Sequence, residues 1–387
     1  MLNLIIIFIV SFALIIFYAY RGTVLNSKIS SNLLKWNRYY TYSFIILLLL
    51  MGLREGVGRD WYAYYGNYFN KNLFRYFQFG ESTEFGNGAL IWVLKGLGFH
   101  AQSYFFFTSL ITIYLLYTYF KNLYFLLPFA LLVFFTDGLF VFSLNGIRQG
   151  IAIIAFLNVM RFPIENYNFK ENSRNFLNII FYFFVGLSFH YSIVAYVPFI
   201  FLNNKIILRF FNSKILIIIV LSGFLINVLG FASNFEGITS EYFPKYSDYF
   251  LFDKYANYGK KIFGIGSTLY LMMYLIPFFY FDKIKKKYKN VEIYFVLFAF
   301  GLFLQYTIFT EDVMLINRLI KYLLAFSIIV LSLGINYFMK YNRKYYTILL
   351  LFSVSLLIVK LFIKMPLFME LEIIKNNFSL FLLPLMK

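Results

Sequence analysis

Long apolar runs recur along almost the whole chain, and they constrain its fold more than any other feature. In hydrocarbon every backbone N–H and C=O has to be bonded inside the protein, which leaves helices or closed barrels as spanning structures. A helix needs about 20 apolar residues to cross. The runs fall at 2–20, 39–53, 103–120, 123–141, 146–160, 176–189, 192–202, 215–232, 265–281, 291–309, 319–338 and 345–363. The expected fold is an all-α polytopic integral membrane protein with about 12 transmembrane helices. Runs 146–160, 176–189 and 192–202 are shorter than a full crossing and are expected to be short or re-entrant. The first run has neither a basic flank before it nor a small-residue cleavage site after it, so a retained helix is expected.

Composition closes off the alternatives. Hydrophobic residues make up 61% of the 387 and charged residues 13%, against about 25% charged in soluble domains. That excludes a soluble enzyme, a disordered chain and a fibre. The net charge of +18 is assigned to topology-setting and lipid-contacting basic residues, with no nucleic-acid partner. Cysteine is absent, so thiol catalysis, disulfides and thiolate metal sites are excluded. The two histidines, His100 and His190, are too few for a His-rich metal centre.

Taking alternate loops as one side gathers 19 of the 35 Lys and Arg into 21–38, 121–122, 161–175, 203–214, 282–290 and 339–344, with most acids on the other side. The positive-inside rule makes that set cytoplasmic. The parity requires segment 85–99 to lie on the outer surface as an amphipathic helix without crossing. The expected organisation is one transmembrane domain over 1–387, with outer loops at 54–102 and 233–264. No GxxxxGK[ST] motif occurs, so any chemistry is expected at the outer face without ATP.

Polar groups collect at the outer ends of the spans. Arg54 closes the second, Arg148 opens the fifth within Asn145-Gly146-Ile147-Arg148-Gln149, and His190 ends the sixth. Arg318 opens the eleventh within Asn317-Arg318-Leu319-Ile320-Lys321-Tyr322, at helical spacing from Lys321 and Tyr322. Cations at this depth are costly unless they pair with or bind an anion. Arginine's planar fork matches phosphate oxygens; the alternative is snorkelling to headgroups. His190 has the chemistry to take a proton from a hydroxyl or donate to a phosphate oxygen. Asp60 is a candidate base, or a partner of Arg54 or Arg59. The aromatics around it stack on sugars or form an interfacial belt.

These motifs come in an order that resembles a known family. Arg54, Gly58, Asp60 and Tyr64, then Ile147, Arg148, Gln149, Ile151 and Ala152, then Phe189, His190, Ser192 and Pro198, then Asn317, Arg318 and Tyr322, resemble the EpsG family of Wzy-type surface-polysaccharide polymerases over about residues 40–325. The resemblance implies a multi-pass plasma-membrane (inner-membrane) glycosyltransferase with its active site facing the periplasm or cell exterior. Its substrate would be an undecaprenyl-diphosphate-linked oligosaccharide, with membrane lipid, a chain-length regulator and a flippase as partners and no cofactor. Arg148 and Arg318 would hold the diphosphate, and His190 would activate the acceptor or orient the donor. Arg54, Asp60, Asn145, Gln149, Asn317, Lys321 and Tyr322 would line the substrate site. No metal is required if arginines neutralise the diphosphate, although Asp60, Glu311 and Asp312 leave that open. The rivals are a lipid-linked oligosaccharide flippase, a lipid-monophosphate-dependent transferase, an O-antigen ligase and a structural scaffold. A flippase needs polar residues through mid-span, and those regions are nearly bare here.

Overall fold

A computed structural model describes residues 2–28, 36–58, 60–69, 84–162, 169–202, 204–228, 265–307 and 314–359. All regular structure among them is helical. The whole of the second outer loop (233–264), together with Arg59, Glu311 and Asp312, lies outside the described residues. The chain divides into two compact units, one built from 1–162, 173–194 and 350–387 and the other from 163–172 and 195–349.

In the first unit α1 (Leu2–Lys28) packs on α2 (Arg38–Gly52). Asn37 starts α2 by accepting from the Tyr39 and Tyr40 amides at 3.1 and 3.2 Å, satisfying donors that a helix start leaves open. Its Nδ2 donates to Gly22 O on α1 at 3.2 Å. Next come α3 (Trp61–Phe69), α4 (Phe85–Gly96) and α5 (Gln102–Tyr119). At 12 residues α4 is about 18 Å long, less than a bilayer core. After them α6 (Leu127–Thr136), α7 (Leu139–Asn145), α8 (Ile147–Met160) and α9 (Phe169–Phe189) complete the unit's helices up to residue 194. The expected continuous run 123–141 is broken: Gly138, at φ +91°, separates α6 from α7, a conformation that only glycine adopts without strain. Helix α5 packs between α2 and α8. Arg161 donates to Thr118 O and Tyr119 O and so ties the ends of α8 and α5.

The expected run 192–202 is a 3₁₀ turn, Tyr191–Tyr196, followed by the five-residue α10 (Val197–Phe201), with Pro198 in the first turn of the helix. The second unit continues with α11 (Lys205–Leu208), α12 (Ser213–Val228), α13 (Ile265–Phe279), α14 (Phe281–Lys287) and α15 (Glu292–Thr307). It ends with α16 (Met314–Leu324), α17 (Ser327–Tyr341) and the start of α18 (Arg343–Val359). Small residues let its helices approach closely, as in membrane bundles. A Cβ on Gly223 of α12 would lie 2.5 Å from Phe303 O of α15. One on Gly301 of α15 would lie 2.9 Å from Leu323 Cβ of α16. Asp282 of α14 accepts from the Ser213 amide at 3.1 Å and pairs with Lys285 at 3.2 Å. Burial raises its carboxyl pKa, but these Ser213 and Lys285 bonds outweigh that and leave it below the ordinary value.

Among the described residues two helical stretches, Ile6–Ser27 and Arg318–Tyr341, are long and apolar enough to cross a membrane. A third counts if Gln102–Tyr119 and Tyr124–Thr136, bent by 116°, form one span. Other apolar helices have 10–17 residues. Large apolar side chains face outward: Val10 and Phe17 on α1, Phe181 and Phe184 on α9, Ile218 on α12. An apolar exterior over helices with internally bonded backbones suits a lipid surround.

Candidate functional site

In the first unit, four segments converge at one end of the helices. They are the loop after α2, the start of α4, the α7–α8 turn and the end of α9. Gly58 (φ +107°) lies so close to Asn145 that a Cβ there would sit 2.6 Å from its Oδ1. Gly86 presses on Ser188, where a Cβ would come within 2.5 Å of Oγ. His190 follows two residues later.

Arg148 lies in the first turn of α8. The positive end of a helix dipole disfavours a cation there, and a counter-ion is present: Nη1 donates to the carboxylate of Glu84. Glu84 is 7% exposed and occupies the position just before α4, where a side chain commonly turns back to cap the helix. It makes no capping bond and reaches Arg148 instead. Burial raises the carboxyl pKa of Glu84 above its ordinary value, against the opposing pull of Arg148. The Arg148 side chain remains 25% exposed, and its guanidinium lies 5.8 Å over the ring of Tyr64. Tyr64 stacks on Tyr104 at 5.8 Å, and the Tyr104 hydroxyl donates to Asn87 Oδ1 at 2.7 Å.

A second layer lies beneath. Arg54 is buried, with Nη1 donating to Met51 O at 2.7 Å and Nη2 to Leu144 O at 3.1 Å. One cation therefore closes the carbonyl ends of both α2 and α7, where the dipole favours it. Its guanidinium also covers Phe105 at 5.3 Å, and Phe105 continues a stack through Trp61 to Tyr65. Arg54 thus turns inward to backbone rather than to Asp60. Asp60 sits half-buried before α3, its carbonyl accepting from the Tyr64 amide at 3.0 Å. Asn145 ends α7 half-buried, and Gln149 is buried in the first turn of α8.

His190 terminates α9. Its Nδ1 accepts from the Ser192 amide at 3.2 Å and lies 2.7 Å from Ser192 Oγ. An amide can only donate, so Nδ1 carries no proton and the neutral ring carries it on Nε2. In the second unit, Arg318 is exposed on α16 and Lys321 is half-buried. Tyr322 is fully buried, stacked 4.5 Å from Tyr196, whose hydroxyl donates to Leu319 O. Asn317 lies on the same helix, its side chain outside the described set.

Of the residues singled out in the sequence, Arg54, Asp60, Tyr64, Asn145, Arg148, Gln149 and His190 lie in the first unit, and Asn317, Arg318, Lys321 and Tyr322 lie in the second. The sequence did not single out Glu84, Asn87 or Tyr104, which lie beside Arg148 and Tyr64. The available signal for Glu84 was a lone acid directly before a short apolar helix. No group of three or more acidic or His residues able to hold a metal occurs among the described residues.

The apolar helices define a membrane protein, and this cationic, tyrosine-walled cluster is its candidate site. A profile of the EpsG family matches residues 37–375, most of the chain. The chain belongs to the EpsG family, a family of Wzy-type polysaccharide polymerases. No curated protein and no solved structure matched it.

Proposed function

We propose that the protein extends a surface glycan by moving the growing chain from undecaprenyl diphosphate to a sugar hydroxyl of the next lipid-linked unit, at the outer face of the plasma membrane. The observation that carries this reading is Arg148. It is a partly exposed guanidinium at a helix start, held over Tyr64 and ready to exchange a carboxylate for a phosphate. Arg148 would stabilise charge on the departing diphosphate, as preorganised donors do for developing anions. Arg318, exposed on α16 and rooted by the buried Tyr322, is the second proposed phosphate ligand. His190, protonated on Nε2, would donate to a donor oxygen. Bond energy comes from the substrate's own diphosphate.

The mid-span polar side chains weigh against a flippase. Thr108 and Thr112 of α5 donate to Tyr104 O and Thr108 O, each at 2.8 Å, and Asn158 of α8 donates to Leu115 O at 3.0 Å. They are bonded to backbone carbonyls rather than presented to a transported headgroup. A strain lacking the protein tests the reading through its lipid-linked products. Single repeat units accumulating on the lipid support polymerisation. Full-length chains trapped on the cytoplasmic side mean transport instead.

A further inference from the structure

We propose that Glu84 is the catalytic base of this site, held against Arg148 at rest and released to the acceptor hydroxyl when the diphosphate takes Arg148. This rests on the polymerase reading and names the group that activates the acceptor.

Three observations support it. First, Glu84 forgoes the capping bond its position offers and reaches Arg148 instead. A carboxylate on an anion-binding arginine is the group an incoming diphosphate must displace. Second, His190 is poorly suited to be the base. Its proton-accepting nitrogen is taken by Ser192, which leaves Nε2 a donor. Third, Gly86, two residues after Glu84, packs directly on Ser188, two residues before His190. Glu84 and His190 therefore belong to one cluster with distinct roles, an acceptor of protons and a donor of a hydrogen bond. Among the described residues, the charged and titratable groups around Glu84 are Arg148 from α8 and Tyr104 from α5, with Tyr64 from α3 against both and Arg54 in the layer beneath.

The step balances. The acceptor oxygen forms a bond to the anomeric carbon of the donor sugar, and its proton passes to Glu84. The bond from that carbon to the diphosphate oxygen breaks, the electron pair stays on that oxygen, and the lipid diphosphate leaves with its negative charge held by the Arg148 guanidinium. Glu84 then loses the proton to solvent and returns to Arg148. Burial already raises its affinity for a proton, which suits a group that has to take one.

The test is steady-state kinetics of the full-length protein in liposomes, with a lipid-diphosphate-linked repeat unit as substrate. Glu84→Gln, nearly isosteric, should lower kcat by about 10²–10⁴-fold while KM stays level or falls. The wild-type kcat/KM should drop as pH falls through the Glu84 pKa, because only the carboxylate accepts a proton. That acid limb should vanish in Glu84→Gln and persist in His190→Gln, which keeps a donor near the Nε2 position. Sodium formate should partly restore Glu84→Ala and leave Glu84→Gln unchanged. Wild-type turnover by Glu84→Gln, or an acid limb that survives Glu84→Gln and disappears in His190→Gln, overturns the assignment while polymerisation stands. Absence of polymer from the wild type sinks the polymerase reading itself.

Discussion

Three arginines with similar sequence surroundings have different fates. Arg54, Arg148 and Arg318 all lie at span ends, and sequence alone gives each the same two options, lipid headgroup or bound phosphate. Arg54 takes neither, because two helices end beside it with unsatisfied carbonyls. Only the tertiary meeting of α2 with α7 reveals that, since Met51 and Leu144 are far apart in the chain. Substitutions separate these residues. Arg54→Gln should cost about 2–4 kcal/mol by leaving buried carbonyls unpaired, read as lower thermal stability in detergent and poorer accumulation. Arg148→Ala should accumulate normally and lose polymerisation by about 10²–10³-fold. Arg148→Lys should rescue poorly, because an ammonium cannot reproduce the bidentate fork. Normal polymer from Arg148→Lys would show that only charge matters there.

At the scale of elements, hydropathy located nearly every helix but misjudged where helices break. Run 123–141 reads as one span because its apolar character continues through Asp137-Gly138, yet the left-handed glycine splits it. Run 319–338, by contrast, corresponds to the single stretch Arg318–Tyr341, with only a turn at Ala325 and Phe326 between α16 and α17. Hydropathy reports medium, while breaks depend on backbone geometry. Glycine spacing carries packing information that hydropathy also omits. Gly223 has Phe303 O of α15 where its Cβ would lie, whereas Gly66 in α3 has nothing within 4 Å. Gly223→Ala should therefore destabilise by about 1–3 kcal/mol through overpacking. Gly66→Ala should be neutral or stabilising by up to about 1 kcal/mol, since alanine favours helix. Thermal unfolding in detergent distinguishes the pair, and equal loss in both would contradict the assigned α12–α15 contact.

For the whole molecule, membrane class and family were legible in the sequence because both rest on local signals: apolar run length and short motifs in order. Arg54, Arg148 and His190 stood out for the same reason, as polar groups at the ends of apolar runs. Glu84 was hidden because its meaning depends on Arg148, 64 residues away, and no local pattern encodes that pairing. The proposed activity is that this protein turns lipid-linked repeat units into polymer through the cluster around Arg148. Purified protein reconstituted with a lipid-diphosphate-linked repeat unit tests it most directly, by product length and released lipid diphosphate measured together. The account predicts a ladder of lengthening glycans, one lipid diphosphate freed per bond formed, and no ladder from Arg148→Ala or Arg318→Ala. Intact single units moved across the bilayer without lengthening, or an undiminished ladder from both variants, would contradict it.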